Sequence, residues 1–267
     1  MDHSHWLTST QVLTSLILPI LIISSFLFPI TTSQESPFLY KICKNESAGS
    51  YTKTDPFANN LKNVLDNLVD QTPKHDGFWT TSSGGAYGLA LCRGDVSSDH
   101  CDFCLYDARC KITQRCVERA AIVWYDNCLI KYSDHDFFGE IDTDNRIRMY
   151  NIYNATDAKG FNKTARDLLQ SLKKKASKSA MMFAQGSAVE KKENVTIYGM
   201  AQCGRDLSRG NCTSCLDYAI NHLPAFTATT TPVGGRTLTG SCSVRYEEYV
   251  FLDTPTKNKA VNVKMIA

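Results

Sequence analysis

The chain has little of what usually marks a nucleic-acid binder, an enzyme or a multi-span membrane protein. Its 29 Lys and Arg against 27 Asp and Glu leave a formal net charge of +2. That is too mild to imply a nucleic-acid partner or to drive direct attack on a membrane. The one basic cluster, Lys173-Lys174-Lys175 with Lys178, reads as a solvated helix end, because cations favour helix C-termini. Histidine is scarce. Beyond the N-terminal segment there are His75, His100, His135 and His222, and none sits in a motif that pairs a nucleophile with a base. The adjacent carboxylates Glu247 and Glu248 point to opposite faces of a strand and cannot flank one glycosidic bond. Long apolar runs are absent after residue 30, and no retention tetrapeptide ends the chain at Lys264-Met265-Ile266-Ala267. These absences exclude an evident catalyst and imply no cofactor.

The one long apolar run, from Val12 to Ile30, is followed by the small residues Thr31-Thr32-Ser33. This reads as a secretory signal, residues 1–33, with cleavage after Ser33. The rival reading is a signal anchor, since the run approaches spanning length and no Lys or Arg precedes it. Pro19 and Pro29 interrupt it and favour cleavage. What remains, 234 residues with a net charge of +3, suffices for two small domains and carries no second span. All 11 cysteines lie in it and in an oxidising compartment should mostly pair. Sequons at Asn45, Asn154, Asn162, Asn194 and Asn211 suit a secreted surface. The last has Cys212 at its middle position and is expected to go unused.

The most informative pattern is a repeated cysteine motif. Cys92, Cys101 and Cys104 are spaced C-x8-C-x2-C, and Cys203, Cys212 and Cys215 repeat that spacing 111 residues on. The flanks repeat as well, Tyr87-Gly88-Leu89-Ala90 before the first copy and Tyr198-Gly199-Met200-Ala201 before the second, with Leu105 and Leu216 after. So many fixed offsets mean two homologous modules in tandem.

Within the first module, Asp55 before Pro56 marks a helix start. Phe57, Leu61, Val64, Leu65 and Leu68 then form one apolar stripe. Tyr87 to Cys92 reads as a strand, about Cys101 to Gln114 as a second helix, and Ala121 to Tyr132 as two strands with a turn at Asp126-Asn127. In the second module Phe161, Ala165, Leu168, Leu169 and Leu172 repeat the stripe. Cys212 to Leu223 matches the second helix and Arg236 to Phe251 the closing strands. Cys242, Val244 and Tyr246 share an apolar face that should meet the helices, while Ser243, Arg245 and Glu247 face away. The seam falls between Phe138 and Met149. The expected fold is α+β: two tandem modules, 34–144 and 145–253, each an antiparallel β-sheet packed by two α-helices and stapled by disulfides, with a tail over 254–267.

These motifs, with Trp124-Tyr125-Asp126-Asn127-Cys128 closing one module and Ser241-Cys242-Ser243-Val244-Arg245-Tyr246-Glu247 the other, resemble the ginkbilobin-type (salt-stress/antifungal) cysteine-rich domain of plants. Two copies behind a signal resemble a cysteine-rich repeat secretory protein. The resemblance covers about Phe38 to Phe251. It implies the disulfides Cys43–Cys116, Cys92–Cys101, Cys104–Cys128, Cys203–Cys212 and Cys215–Cys242. The second module has Thr230 where Cys116 has its counterpart, and the counterpart of Cys43 falls near Tyr150. Both halves of one bridge are missing together, and the second module should be the less constrained. Cys110 is left over, either as a partly buried free thiol or as one half of an intermolecular bridge. The C-x2-C pairs have a zinc-like spacing, but the compartment and the further cysteines favour disulfides. A thioredoxin-like role would need Cys101 to pair with Cys104, which the implied connectivity denies. No metal is expected.

Binding is the class left. The resemblance implies a mannose site made from an asparagine after the first cysteine position, an arginine six residues before the last cysteine and a glutamate five after it. The first module holds Lys44, Ile122 and Ser133 there; the second holds Asn151, Arg236 and Glu247. An amide, a guanidinium and a carboxylate can together satisfy vicinal sugar hydroxyls. The competing reading makes Arg236 and Glu247 a surface ion pair, worth about 0–1 kcal/mol. Two functions therefore stand side by side. One is a secreted, apoplastic, lectin-like protein binding a mannose-type glycan in defence or stress. The other is a protein-interaction module that docks on a receptor ectodomain or on a second copy as a homodimer.

Overall fold

The computed structural model describes residues 36–44, 49–224, 227 and 229–253. The expected signal at 1–33, the sequon at Asn45 and the tail over 254–267 lie outside them. The elements run β1 (Phe38–Lys44), α1 (Pro56–Gln71), a 3-10 turn (Thr72–His75), β2 (Phe78–Ser83), β3 (Ala86–Cys92), α2 (Ser98–Arg115), β4 (Ala120–Tyr125) and β5 (Cys128–Ser133). The order then repeats with β6 (Arg146–Tyr150), α3 (Ala158–Ala176), β7 (Phe183–Glu190), β8 (Val195–Cys203), α4 (Arg209–Asn221), β9 (Gly234–Thr239) and β10 (Cys242–Glu247). Two five-stranded antiparallel sheets result, β1-β4-β5-β3-β2 and β6-β9-β10-β8-β7.

Helix α1 starts where its sequence says. The Asp55 side chain accepts from the Phe57 backbone N–H at 2.9 Å, Pro56 occupies the first turn, and the apolar stripe Phe57, Leu61, Val64, Leu65 and Leu68 is buried. Helices α2 and α4 start earlier than their apolar residues suggest. Ser97 caps α2 by accepting from the His100 N–H at 3.2 Å, and Ser208 caps α4 by accepting from Asn211 N–H at 3.1 Å. A serine cap draws the preceding polar residues into the helix. Each helix pair covers one face of its own sheet. In the first core α1 and α2 meet Ala90, Cys92, Ala121, Val123, Ile130 and Tyr132. In the second α3 and α4 meet Ala201, Cys203, Cys242, Val244 and Tyr246. β5 ends at Ser133 and β6 begins at Arg146, so the stretch joining the two sheets lies a few residues earlier than the interval from Phe138 to Met149. One reading is corrected. Lys173 is not part of a solvated helix end; it is 8 % exposed and its ammonium pairs with Asp217 of α4, while Lys174, Lys175 and Lys178 stay exposed.

Disulfides join Cys43–Cys116, Cys92–Cys101, Cys104–Cys128, Cys203–Cys212 and Cys215–Cys242. Cys110 is free, on α2 and half-buried. Cys43, Cys116 and Glu118 lie close enough together to suggest ligands for a metal, but the first two are joined to each other and offer no thiolate.

The residues that point away from the helices are buried too. Leu89, Leu91, Ile122 and Trp124 of the first sheet and Met200, Gln202, Arg245 and Glu247 of the second are each at most 7 % exposed. The Trp124 indole donates to the Thr239 carbonyl at 3.2 Å, and the Gln202 amide donates to the Cys92 carbonyl at 2.9 Å. The second faces therefore cover one another.

The Cys43–Cys116 bridge closes a loop of 73 residues and ties edge strand β1 to the end of α2. Replacing both cysteines with serine should lower unfolding stability by about 2–4 kcal/mol, read as a shift of the urea midpoint.

Candidate functional site

Asn151, Arg236 and Glu247 line one open pocket of about 190 Å³, together with Met149, Tyr150, Gly235 and Tyr249. Strand register brings them together. Asn151 follows the last residue of edge strand β6, and its N–H donates to the Gly234 carbonyl at 2.9 Å. On the other side of β9, Gly234 is the register partner of Glu247 in β10. Asn151, Gly234 and Glu247 thus form a row across three strands, roughly 10 Å wide at the usual strand spacing. The middle position has no side chain. A Cβ at Gly234 would overlap the Glu247 carboxylate, so glycine there leaves the carboxylate its place. Arg236, two residues along β9, lies on the same face.

Each polar group is fixed by a further contact. The Asn151 amide oxygen accepts from the Tyr153 N–H at 3.0 Å. Glu247 accepts from Arg245 Nε at 2.9 Å, and Arg245 Nη2 donates to the Tyr249 hydroxyl at 3.0 Å. Arg236 Nη1 lies 2.5 Å from a carboxylate oxygen of Asp126, which comes from the two-residue β4–β5 turn of the first module. The same carboxylate receives Arg245 at 3.2 Å and Arg93 at 3.2 Å. The pairing expected between Arg236 and Glu247 is corrected accordingly. They are not an exposed ion pair: their side chains are 14 % and 8 % exposed, and each pairs elsewhere.

The acids respond to this setting in opposite directions. Burial raises the Asp126 carboxyl, but Arg236, Arg245 and Arg93 outweigh it and hold the group below the usual aspartate range. At Glu247 burial outweighs the attraction of Arg245 and Arg236, and Asp126 adds repulsion, so its carboxyl sits above the usual range. Arg236 is felt unequally from its own side. Burial and the neighbouring Arg245 cation lower it more than Asp126 and Glu247 raise it. Both acids bond Arg245, but only Glu247 lines this pocket; perturbed pKa values cluster at functional sites.

The equivalent place in the first module holds Lys44, Ile122 and Ser133, which line a pocket of about 200 Å³ with Lys131, His135 and Asp142. Lys44 is the register partner of Ala120, where the second module has Gly234. The amide–guanidinium–carboxylate set is confined to the second module. Asp126, Arg245, Gly234 and Tyr249 complete that site and were not anticipated as parts of it. Gly234 could have been found as the residue two before Arg236; Asp126 could not, since it lies 110 residues away.

A family model described as salt stress response/antifungal matches residues 42–135 and 148–249. The chain is 43 % identical over 220 residues to an antimicrobial ginkbilobin-2-like protein of Castanea crenata, covering 80 % of this chain and 89 % of that one. It is 40 % identical over 247 residues to cysteine-rich repeat secretory protein 38 of Arabidopsis thaliana, covering 88 % and 96 %. Among solved structures, the tandem DUF26 ectodomain of the Arabidopsis thaliana cysteine-rich receptor-like protein PDLP8 matches with a TM-score of 0.68 at 25 % identity, over 80 % of this chain and 98 % of that one. No helix among the described residues is long and apolar enough to cross a membrane.

The raised pKa of Glu247 has a consequence for stability. A carboxyl whose folded pKa lies above its unfolded value stabilises the fold when protonated, and that contribution is lost as pH rises through the folded pKa. Glu247→Gln should therefore be at least as stable as wild type at pH 7, with the difference shrinking or reversing as pH falls through the ordinary glutamate range. Urea midpoints at several pH values between 7 and 4 check this. A clear loss of stability in Glu247→Gln at pH 7 would mark the residue as a structural ion-pair partner.

Proposed function

We propose, from the premise that the chain belongs to the salt stress response/antifungal family, that it is a glycan-binding protein whose second module holds a mannose-type sugar between Asn151, Arg236 and Glu247. The protein is extracellular, as its secretory relatives are. The observation that carries the reading is the row Asn151–Gly234–Glu247 with Arg236 beside it, which lines an open pocket at the edge of the second sheet. Arg236 is a pure donor and Glu247 a pure acceptor when ionised, and the Asn151 amide nitrogen adds a second donor. Vicinal hydroxyls, which both donate and accept, match this set. Tyr150 and Tyr249 at the pocket wall are 57 % and 50 % exposed and offer apolar ring faces with polar tips to the C–H side of a pyranose. Antimicrobial action, named for the Castanea relative, would then begin with recognition of a microbial or cell-wall mannan.

A second reading rests on a different observation. Ile152 and Tyr153, next to the pocket, are 79 % and 69 % exposed, and with Tyr150, Tyr249 and Val250 they make an apolar surface of the kind used in protein contacts. On that reading the pocket charges steer a protein partner, such as a receptor ectodomain or a second copy of the chain.

Calorimetry with mannose and a mannobiose decides between them. Wild type should bind, and Arg236→Ala and Glu247→Ala should each weaken binding by at least about tenfold, the usual cost of a charge-assisted hydrogen bond, with circular dichroism unchanged. No binding by wild type would sink the sugar reading in favour of the protein partner.

Glycans of the protein itself bear on the site, because Asn154 lies only roughly 10 Å of chain from Asn151. Asn154 and Asn194 are exposed. The amide nitrogen of Asn162 instead donates to the Thr227 carbonyl at 3.1 Å and Thr231 hydroxyl at 3.3 Å, and that of Asn211 donates to the Gly139 carbonyl at 3.1 Å. Glycopeptide mapping should find sugar at Asn154 and Asn194, with Asn162 and Asn211 bare. Carbohydrate at Asn162 would contradict the hydrogen-bonding assigned to it.

A further inference from the structure

We propose that Asp126, carried by the first module, is a positioning residue for the pocket of the second, so that the pocket is open to ligand only when the two modules are docked. The inference rests on the glycan-binding reading. It begins from the register of the closing hairpin, where Arg236 of β9 and Arg245 of β10 are direct partners. Like charges directly opposite one another on a sheet are destabilising. Arg245 is held on three sides, by Glu247 at 2.9 Å, the Tyr249 hydroxyl at 3.0 Å and Asp126 at 3.2 Å. Among the described residues Arg236 has one ion-pair partner, Asp126.

Glu247 is the acid that Arg236 would otherwise turn to. It occupies the same sheet face, two residues from Arg245, and both Arg236 and Glu247 line the one pocket. Yet no Arg236–Glu247 contact falls within ion-pair distance, because Asp126 takes Nη1 of the guanidinium from behind. Asp126 thus keeps the donor and the acceptor of the pocket apart and leaves the gap a hydroxyl pair would fill. Without its charge, Arg236 would swing onto Glu247 and the two groups would satisfy each other in place of a ligand. The β4–β5 turn is held against the second sheet by the contacts of Asp126 itself with Arg236 and Arg245, so the neighbouring Trp124–Thr239 hydrogen bond can be removed without displacing the carboxylate.

The test compares Asp126→Asn with wild type, using the full chain. Trp124→Phe serves as a control that removes an inter-module hydrogen bond and leaves the charges in place. Mannobiose calorimetry should show about tenfold weaker binding in Asp126→Asn and near-wild-type binding in Trp124→Phe. A ligand-free crystal structure of Asp126→Asn should show the Arg236 guanidinium moved onto Glu247, within the roughly 4 Å of an ion pair. Equal affinity in wild type and Asp126→Asn, or equal losses in both variants, would overturn the inference while leaving the sugar reading in place. If wild type binds no sugar, the earlier reading fails and the ligand-free structure still judges this one: an Arg236 guanidinium that stays off Glu247 in Asp126→Asn overturns it. Should Asp126→Asn not fold, Asp126→Glu keeps the charge with a displaced carboxylate and is expected to bind about threefold more weakly; wild-type affinity in that variant would overturn the proposal.

Discussion

Each sheet gives one face to its own helices, and the rest of the structure depends on what covers the other. That face carries tryptophan, leucine and isoleucine in the first module but arginine, glutamine and glutamate in the second. Burying apolar groups against one another needs only shape, whereas buried charges must be paired and hydrogen-bonded. The seam between the sheets satisfies both demands. Trp124 uses its apolar rings and its one N–H against the second module, and Asp126 in the adjoining turn meets three guanidinia. A two-residue turn with a short acidic side chain at its first position is enough to place that carboxylate where the two facing arginines need it.

The two modules keep a shared plan at this seam and diverge around it. Lys131 stands three residues after Cys128, as Arg245 stands three after Cys242. Each is buried and paired with an aspartate outside its own sheet, Lys131 with Asp142 at 2.7 Å and Arg245 with Asp126. The plan of cation and borrowed carboxylate therefore appears twice. Around it the first module has Ala120, Ile122 and Ser133 where the second has Gly234, Arg236 and Glu247. The first module also ties its edge strand down with Cys43–Cys116. At the same edge of the second, the strand carries no bridge and ends beside a pocket. The constrained module acts as the support and the less constrained one presents the polar cavity.

Much of the fold was legible because its signals are local. The stripe from Phe57 to Leu68, the repeated cysteine spacing and the alternation along Cys242–Glu247 each depend on neighbours a few residues away. Local reasoning placed those helices and strands within a few residues, with the early starts of α2 and α4 hidden because the capping serines lie outside the apolar pattern. Asn151, Arg236 and Glu247 were singled out by the family resemblance rather than by local pattern, and strand register is what brings them to one end of the second module. What escaped was the surroundings of those residues. Lys173 reads as one of three solvated lysines until Asp217 appears beside it on another helix. Arg236 and Glu247 read as an exposed ion pair until the first module covers them. No periodicity within a module reports what another module buries.

That limit explains why residue types alone do not describe this pocket. An arginine and a glutamate on adjacent strands of an isolated sheet would neutralise each other, and the pair would be inert toward a ligand. They remain available here because a third charge, from outside the sheet, competes for the arginine, and because glycine rather than alanine lies between the acid and the amide. The cost is visible in Glu247, whose carboxyl is raised by burial even with Arg245 bonded to it. A group optimised for stability alone would be held below its ordinary range, as Asp126 is. The contrast between these two acids, both bonded to Arg245, separates the carboxylate that holds the seam together from the one that lines the open pocket.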